Sequence, residues 1–156
     1  MEISQASAKH IPELRHLYAE FLKERDNQDY RLLPGKQTVD GMFGLMFVPA
    51  IIEKRGVFVA VEDEKVVGAL FWITVKDPFP TRFSEVLGYG QYSLPEYRGK
   101  GVIKQLMDYG RQHMREKCGQ GVVVDSCWNG DPGPLRAATG AGFKPSQTFV
   151  ELPLVD

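Results

Sequence analysis

The stretch from residue 84 to residue 128 places the tightest constraint on the fold. "SEVLGYGQYSL" (84–94) has strand character, "PEYRGKG" (95–101) is a turn, an amphipathic run follows from 102, and "GVVVDSCW" (121–128) is a core strand. In the run, Val102, Ile103, Leu106, Met107, Gly110 and Met114 share one helical face. Lys104, Gln105, Asp108, Arg111 and Gln112 occupy the other. A strand-helix-strand unit, in a chain that also carries a hairpin, predicts a mixed α/β sheet.

The remaining segments fit around this unit. "MEISQAS" alternates as a short strand. From Ala8, apolar residues recur at Ile11, Leu14, Leu17, Tyr18, Phe21 and Leu22, a helix that Ser7 can cap. "DNQDYRLLPGKQ" is a loop. A second helix is expected over about 38–54, with Met42, Phe43, Met46 and Phe47 inward and Pro49 breaking or kinking it. "VFVAV" (57–61) and "VVGALFWITV" (66–75), joined by "EDEK", form a hairpin. Asp131-Pro132 opens a short helix to about residue 141, Gly142 ends it, and "FKPSQTFVELPLV" is a last strand. The expected order is β-α-α-β-β-β-α-β-α-β in a single domain, residues 1–156.

Charge and composition narrow the partners. The 19 Lys and Arg against 20 Asp and Glu leave a formal charge of −1. That balance gives no global field for nucleic acid or an anionic membrane. No apolar run approaches a membrane span. Cys118 and Cys127 match no zinc or redox spacing, and Asp77, Asp125 and Asp131 no metal-ligand spacing. The expectation is a cytoplasmic protein with no metal, no nucleic acid and no membrane partner. His10, His16 and His113 are separated on helices and are expected at helix surfaces.

The turn before the long helix carries the chemistry. Gly99 and Gly101 stand among Arg98 and Lys100 where a helix begins. A helix start offers unpaired N–H groups and the positive end of a dipole, and glycine lets a ligand approach the backbone. Glycine inside the preceding strand, at Gly88 and Gly90, marks a bulge or a close approach. The stretch is an anion cradle. The Walker A and G-x-G-x-x-G patterns both fail on it: Val102 follows Gly101, and Lys104 stands where a third glycine is required. No H-E-x-x-H or G-x-S-x-G string occurs.

"PEYRGKG" resembles the Arg/Gln-x-x-Gly-x-Gly/Ala signature of the GNAT superfamily of acyl-CoA-dependent N-acetyltransferases. Ile103 stands where that signature has Gly or Ala. The element order is also the family's, and "ATGAGFKP" (138–145) resembles its Gly-Phe turn. The resemblance implies an enzyme that transfers an acetyl group from acetyl-CoA to a primary amine by direct attack. N–H groups of Gly99, Lys100, Gly101, Val102 and Ile103 would bind the pyrophosphate, with charge-assisted contacts from Arg98 and Lys100. Gln91, Ser93 and Leu94 would offer backbone groups to pantetheine and thioester, between two splayed strands. Asp131 occupies a position where the family often has a cofactor-contacting Asn, and Asn129 is nearby.

The family often protonates its leaving thiolate with a tyrosine that would fall at position 138, where this chain has Ala138. Glu85 is the best carboxylate for a base acting through water, and Tyr89 and Gln91 fall on its face by the two-residue period. By the same count Tyr89 and Tyr92 point to opposite faces, and Tyr92 packs. The loops 26–37 and 76–84 flank the acceptor mouth. The acceptor is a small-molecule or peptide amine that the sequence does not name. Many relatives dimerise, so the resemblance allows a homodimer. The rival readings are a non-catalytic acyl-CoA sensor and an interaction domain.

Overall fold

The computed structural model describes residues 1–26, 40–74, 84–118 and 121–125, together with residues 136, 139, 140 and 142. Among the described residues, five strands form one sheet in the order β1-β2-β3-β4-β5. They are β1 (Glu2–Gln5), β2 (Gly56–Glu62), β3 (Lys65–Thr74), β4 (Ser84–Ser93) and β5 (Gly121–Asp125). Neighbours are antiparallel through β4, and β4 pairs with β5 in parallel, from Ser84↔Gly121 to Gly88↔Asp125. The parallel pair needs a crossover connection, which helix α3 (Val102–Cys118) supplies. The mixed α/β class expected from the sequence is the one observed.

The sheet is buried on both faces because its central strand is apolar on both. On β3, Ala69, Phe71 and Ile73 join the core with Leu14, Leu17 and Tyr18 of α1 (Ile11–Asp26). Leu70 and Trp72 turn the other way, toward Leu106 and Met107 of α3. Each fully buried side chain of this size contributes roughly 2 kcal/mol. Gly110, midway along α3, lets the helix settle on the sheet: a Cβ there would lie 3.1 Å from Leu70 and from Trp72.

Pro49 does not break the second helical segment. Residues 40–42 are helical, a π turn covers Phe43–Phe47, and a short helix α2 (Val48–Ile52) follows with Pro49 in its first turn. Proline lacks an N–H, and the chain absorbs that loss in the wider turn before it. Phe43 and Phe47 are buried, as the periodicity predicts.

His10 departs from its surface expectation. It is only 8% exposed, and its Nδ1 accepts the Ser7 N–H at 3.1 Å. Ser7 O in turn accepts the His10 N–H at 2.9 Å, closing the turn that leads into α1. Burial, reinforced by Lys9, holds the imidazole below its ordinary pKa. His113 is half-buried between the rings of Phe58 and Tyr109, and burial lowers it too.

Candidate functional site

The site is built where β4 meets α3. Leu70 faces Gln91 and Trp72 faces Gly88, so Phe71 alone is opposed by two β4 residues, Tyr89 and Gly90. This is a β-bulge. Gly90 has φ +135°, and a Cβ on it would lie 2.5 Å from Cζ of Phe21 on α1. Only glycine fits both demands.

The bulge shifts the alternation of the strand, and two expectations change with it. Tyr89 and Tyr92 do not point to opposite faces; both pack on the α1 side, Tyr89 with its ring 5.9 Å from that of Phe47. Gln91 does not share a face with Tyr89. It opposes Leu70, and directly opposed residues share a face, so its side chain lies on the α3 side.

Main-chain groups beyond the bulge are also distributed by pairing. Leu94 N–H donates to Val67 O at 3.0 Å and Leu94 O accepts from Tyr97, so both groups of Leu94 have partners within the protein. Antiparallel alternation then makes Tyr92 the next residue bonded to β3. Gln91 and Ser93 turn their N–H and C=O to the opposite edge, the one that faces β5. Among the described residues, β5 pairs with β4 only as far as Gly88.

The turn from Arg98 to Gly101 then feeds α3. Gly99 and Gly101 both have φ +76°. A Cβ at Gly99 would meet nothing within 4 Å, and one at Gly101 only Gln105 Nε2 at 4.0 Å. The left-handed conformation requires the glycines, and their bareness leaves the backbone open. The Lys100 N–H is used by Tyr97 O at 3.3 Å, and the first helical bond runs from Gln105 N–H to Gly101 O at 3.0 Å. Among the described residues, the N–H groups of Gly99, Gly101, Val102, Ile103 and Lys104 have no acceptor. Unpaired N–H groups at a helix start form an anion seat, with the dipole in support.

Side chains around this seat are less free than the sequence suggests. Arg98 Nη2 is paired with Glu24 Oε1 of α1 at 2.6 Å, and Arg98 Nε reaches Ser93 O at 3.4 Å. Tyr92 Oη donates to the same Glu24 oxygen at 3.0 Å, and the guanidinium lies 5.3 Å from the Tyr92 ring centre. The Glu24 hydrogen bond raises the Arg98 pKa, and burial followed by Glu24 raises that of Tyr92. Both partners of the ion pair are about half exposed, so it contributes well under ~1 kcal/mol. Its effect is placement: Arg98 is tied back to α1. Lys100 Nζ sits 4.9 Å over the Tyr97 ring. Sequence periodicity held no signal for Glu24, because its partners come from the other side of the fold.

Ile103 packs its side chain against the α3 core rather than into the turn. Glu85 stands on β4 opposite Val122. Its side chain lies outside the described residues, as do Asn129, Asp131, Ala138, nearly all of the stretches 26–37 and 76–84 expected as acceptor loops, and the stretch expected as a last strand. Of the last helix, residues 136, 139 and 140 are described, and Gly142 N–H donates to Thr139 O at 3.0 Å. Among the described residues there is no cluster of metal-ligating side chains, and no helix is long and apolar enough to cross a membrane.

A bulged strand leading into a glycine turn with open amides gives an α/β sheet a place where an anion can bind. The sequence over residues 2–126 matches the acetyltransferase (GNAT) domain family. The chain belongs to that family of acetyltransferases, and acetyl-CoA is its cosubstrate.

Solved structures agree on the fold. One is AAC(6')-Iy in complex with a bisubstrate analogue, CoA-S-monomethyl-acetylneamine, at 18% identity and TM-score 0.73, covering 99% of this chain and 98% of the other. Another is the aminoglycoside acetyltransferase meta-AAC0020 from an uncultured soil metagenomic sample, with sisomicin, at 17% identity and TM-score 0.71, covering 99% and 95%. A third is the ribosomal-protein-alanine N-acetyltransferase of Brucella melitensis biovar Abortus 2308, at 14% identity and TM-score 0.71, covering 99% and 100%. No curated protein matches the sequence.

Proposed function

We propose that the protein acetylates a primary amine of a small molecule by direct attack on acetyl-CoA in a ternary complex. The observation that carries this reading is the row of unpaired N–H groups at Gly99, Gly101, Val102, Ile103 and Lys104. They suit a diphosphate. The free edge of Gln91 and Ser93 then suits the pantetheine arm, which brings the thioester to the bulge. Structural likeness to aminoglycoside acetyltransferases supports a small polar amine as acceptor.

In the reaction a neutral amine nitrogen attacks the thioester carbonyl, the C–S bond breaks, and the departing sulfur takes a proton. Glu85 serves as base through a water, removing the proton that the nitrogen must lose. Tyr89 serves as acid toward the sulfur: it lies one residue before the bulge glycine, and among the described residues its hydroxyl has no hydrogen-bond partner. Arg98 contributes through its place beside the turn and Lys100 through its charge.

The test is release of CoA from acetyl-CoA against a panel of amines, aminoglycosides first and an N-terminal peptide among them. Turnover with a small amine is expected, and Glu85→Gln or Tyr89→Phe lowers kcat by about 10²-fold or more. Ala138, in place of the family's tyrosine, favours a second reading, an acyl-CoA sensor without turnover. Binding of acetyl-CoA with no CoA release across the panel would establish that second reading instead.

A further inference from the structure

The Gln91 side-chain oxygen is an acceptor without a donor. Oε1 is shielded from solvent and, among the described residues, has no hydrogen-bond partner. Buried polar atoms are almost always paired, and one that is not calls for a cause. The bulge supplies the setting. It turns this side chain to the α3 face, across from Leu70 and in an apolar layer with Leu106 and Trp72. On the same residue, the main chain faces the edge that the described part of β5 leaves unpaired. An amide oxygen is therefore held, dry and unused, beside the place where the cosubstrate's arm has been assigned.

We infer that Gln91 Oε1 is a recognition atom for the pantetheine arm, accepting one of its amide N–H groups. This rests on the acetyl-CoA site proposed above. The arm carries two secondary amides, and each N–H needs an acceptor once it leaves water. The main-chain edge of β4 offers the carbonyls of Gln91 and Ser93, and Ser93 O is shared with Arg98 Nε at 3.4 Å. The Gln91 side chain adds an acceptor with no competing donor among the described residues. A neutral amide suits the position better than a carboxylate, which would be costly to bury near a diphosphate.

The experiment compares wild type with Gln91→Leu, using calorimetry and thermal melting. The probes are acetyl-CoA and 3′-phospho-ADP, the nucleotide half that lacks the arm. Gln91→Leu is expected to weaken acetyl-CoA binding about five- to tenfold. It should leave 3′-phospho-ADP binding unchanged and raise the melting temperature of the free protein, because the orphan acceptor is gone. Wild-type affinity for acetyl-CoA in the variant, or equal losses for both probes, would overturn the inference alone. Failure of wild type to bind acetyl-CoA would instead overturn the site on which it rests. Gln91→Met, another uncharged unbranched side chain, provides the same comparison if the leucine variant does not fold.

Discussion

At the start of α1, Ser7 N–H donates to His10 Nδ1, His10 N–H to Ser7 O, and the Glu13 carboxylate of the first turn accepts Val66 N–H from the sheet. At the start of α3, five N–H groups find no acceptor among the described residues. Both are helix N-termini in one small fold, and the same electrostatics governs both. The first is closed by the chain itself: the turn before α1 takes the His10 and Ile11 N–H groups onto the Ser7 and Ala8 carbonyls, and the His10 ring takes the Ser7 N–H. The second is opened by glycines whose φ no other residue adopts cheaply. The difference separates stability from the proposed function: one N-terminus holds a helix in place, and the other is left open where the cosubstrate is proposed to bind.

The largest effect should come from filling the open N-terminus. Gly101→Glu puts a carboxylate on the diphosphate seat, and calorimetry should show acetyl-CoA affinity falling more than about 100-fold, since a like charge is added where an anion binds. Gly101→Ala sharpens the point. Its Cβ meets open space, so its cost is the strained φ, about 1 kcal/mol by denaturant melts. Wild-type affinity in the glutamate variant would erase the contrast between the start of α1 and the start of α3.

Gly90→Ala comes next. Its Cβ would strike the Phe21 ring at a φ of +135°, and chemical denaturation should show a loss of about 2–3 kcal/mol. Ser7→Ala trims the closed N-terminus: it removes the hydroxyl that lies 3.3 Å from His10 Nδ1 and keeps the main-chain bonds. It should cost about 1 kcal/mol or less of stability and leave acetyl-CoA affinity untouched.

The smallest effect concerns pH. His10 is held below its ordinary pKa by burial, so the folded state favours the neutral ring. Its contribution is fully present above pH ~6.5 and is lost as pH falls below that value, because the unfolded chain takes up the proton first. Melting temperature should fall between pH 7.5 and 5.5. His10→Gln keeps an acceptor at the cap without a titration, and should flatten this fall by about 2 °C. The remainder belongs in part to His113, which is lowered in the same direction.

Much of this was legible in the sequence, and the failures share one cause. The apolar stripe from Val102 to Met114, the hairpin and the glycine turn are local patterns, and each names its own element. The side-chain alternation of β4 is not local. It depends on an extra residue at Tyr89 and Gly90, fixed by where the Phe21 ring of α1 comes to rest, and that rotates Gln91 away from Tyr89. Arg98 likewise finds Glu24 from far along the chain. His10 looked like a surface residue because an isolated histidine in a polar stretch gives no sign that tertiary packing will bury it. Long-range packing decided these positions, and periodicity carries no record of it.

Gly110 gives the long helix a fulcrum. Leu70 and Trp72 lie where a Cβ on it would come within 3.1 Å of them, roughly halfway between the open amides and the far tip of α3. A side chain inserted there would act as a wedge, tilting a stiff rod whose front end carries the proposed phosphate seat. The alignment of that seat with the strand below is therefore set by a residue two turns away that touches no ligand, and the smallest residue in the helix is also its levelling point.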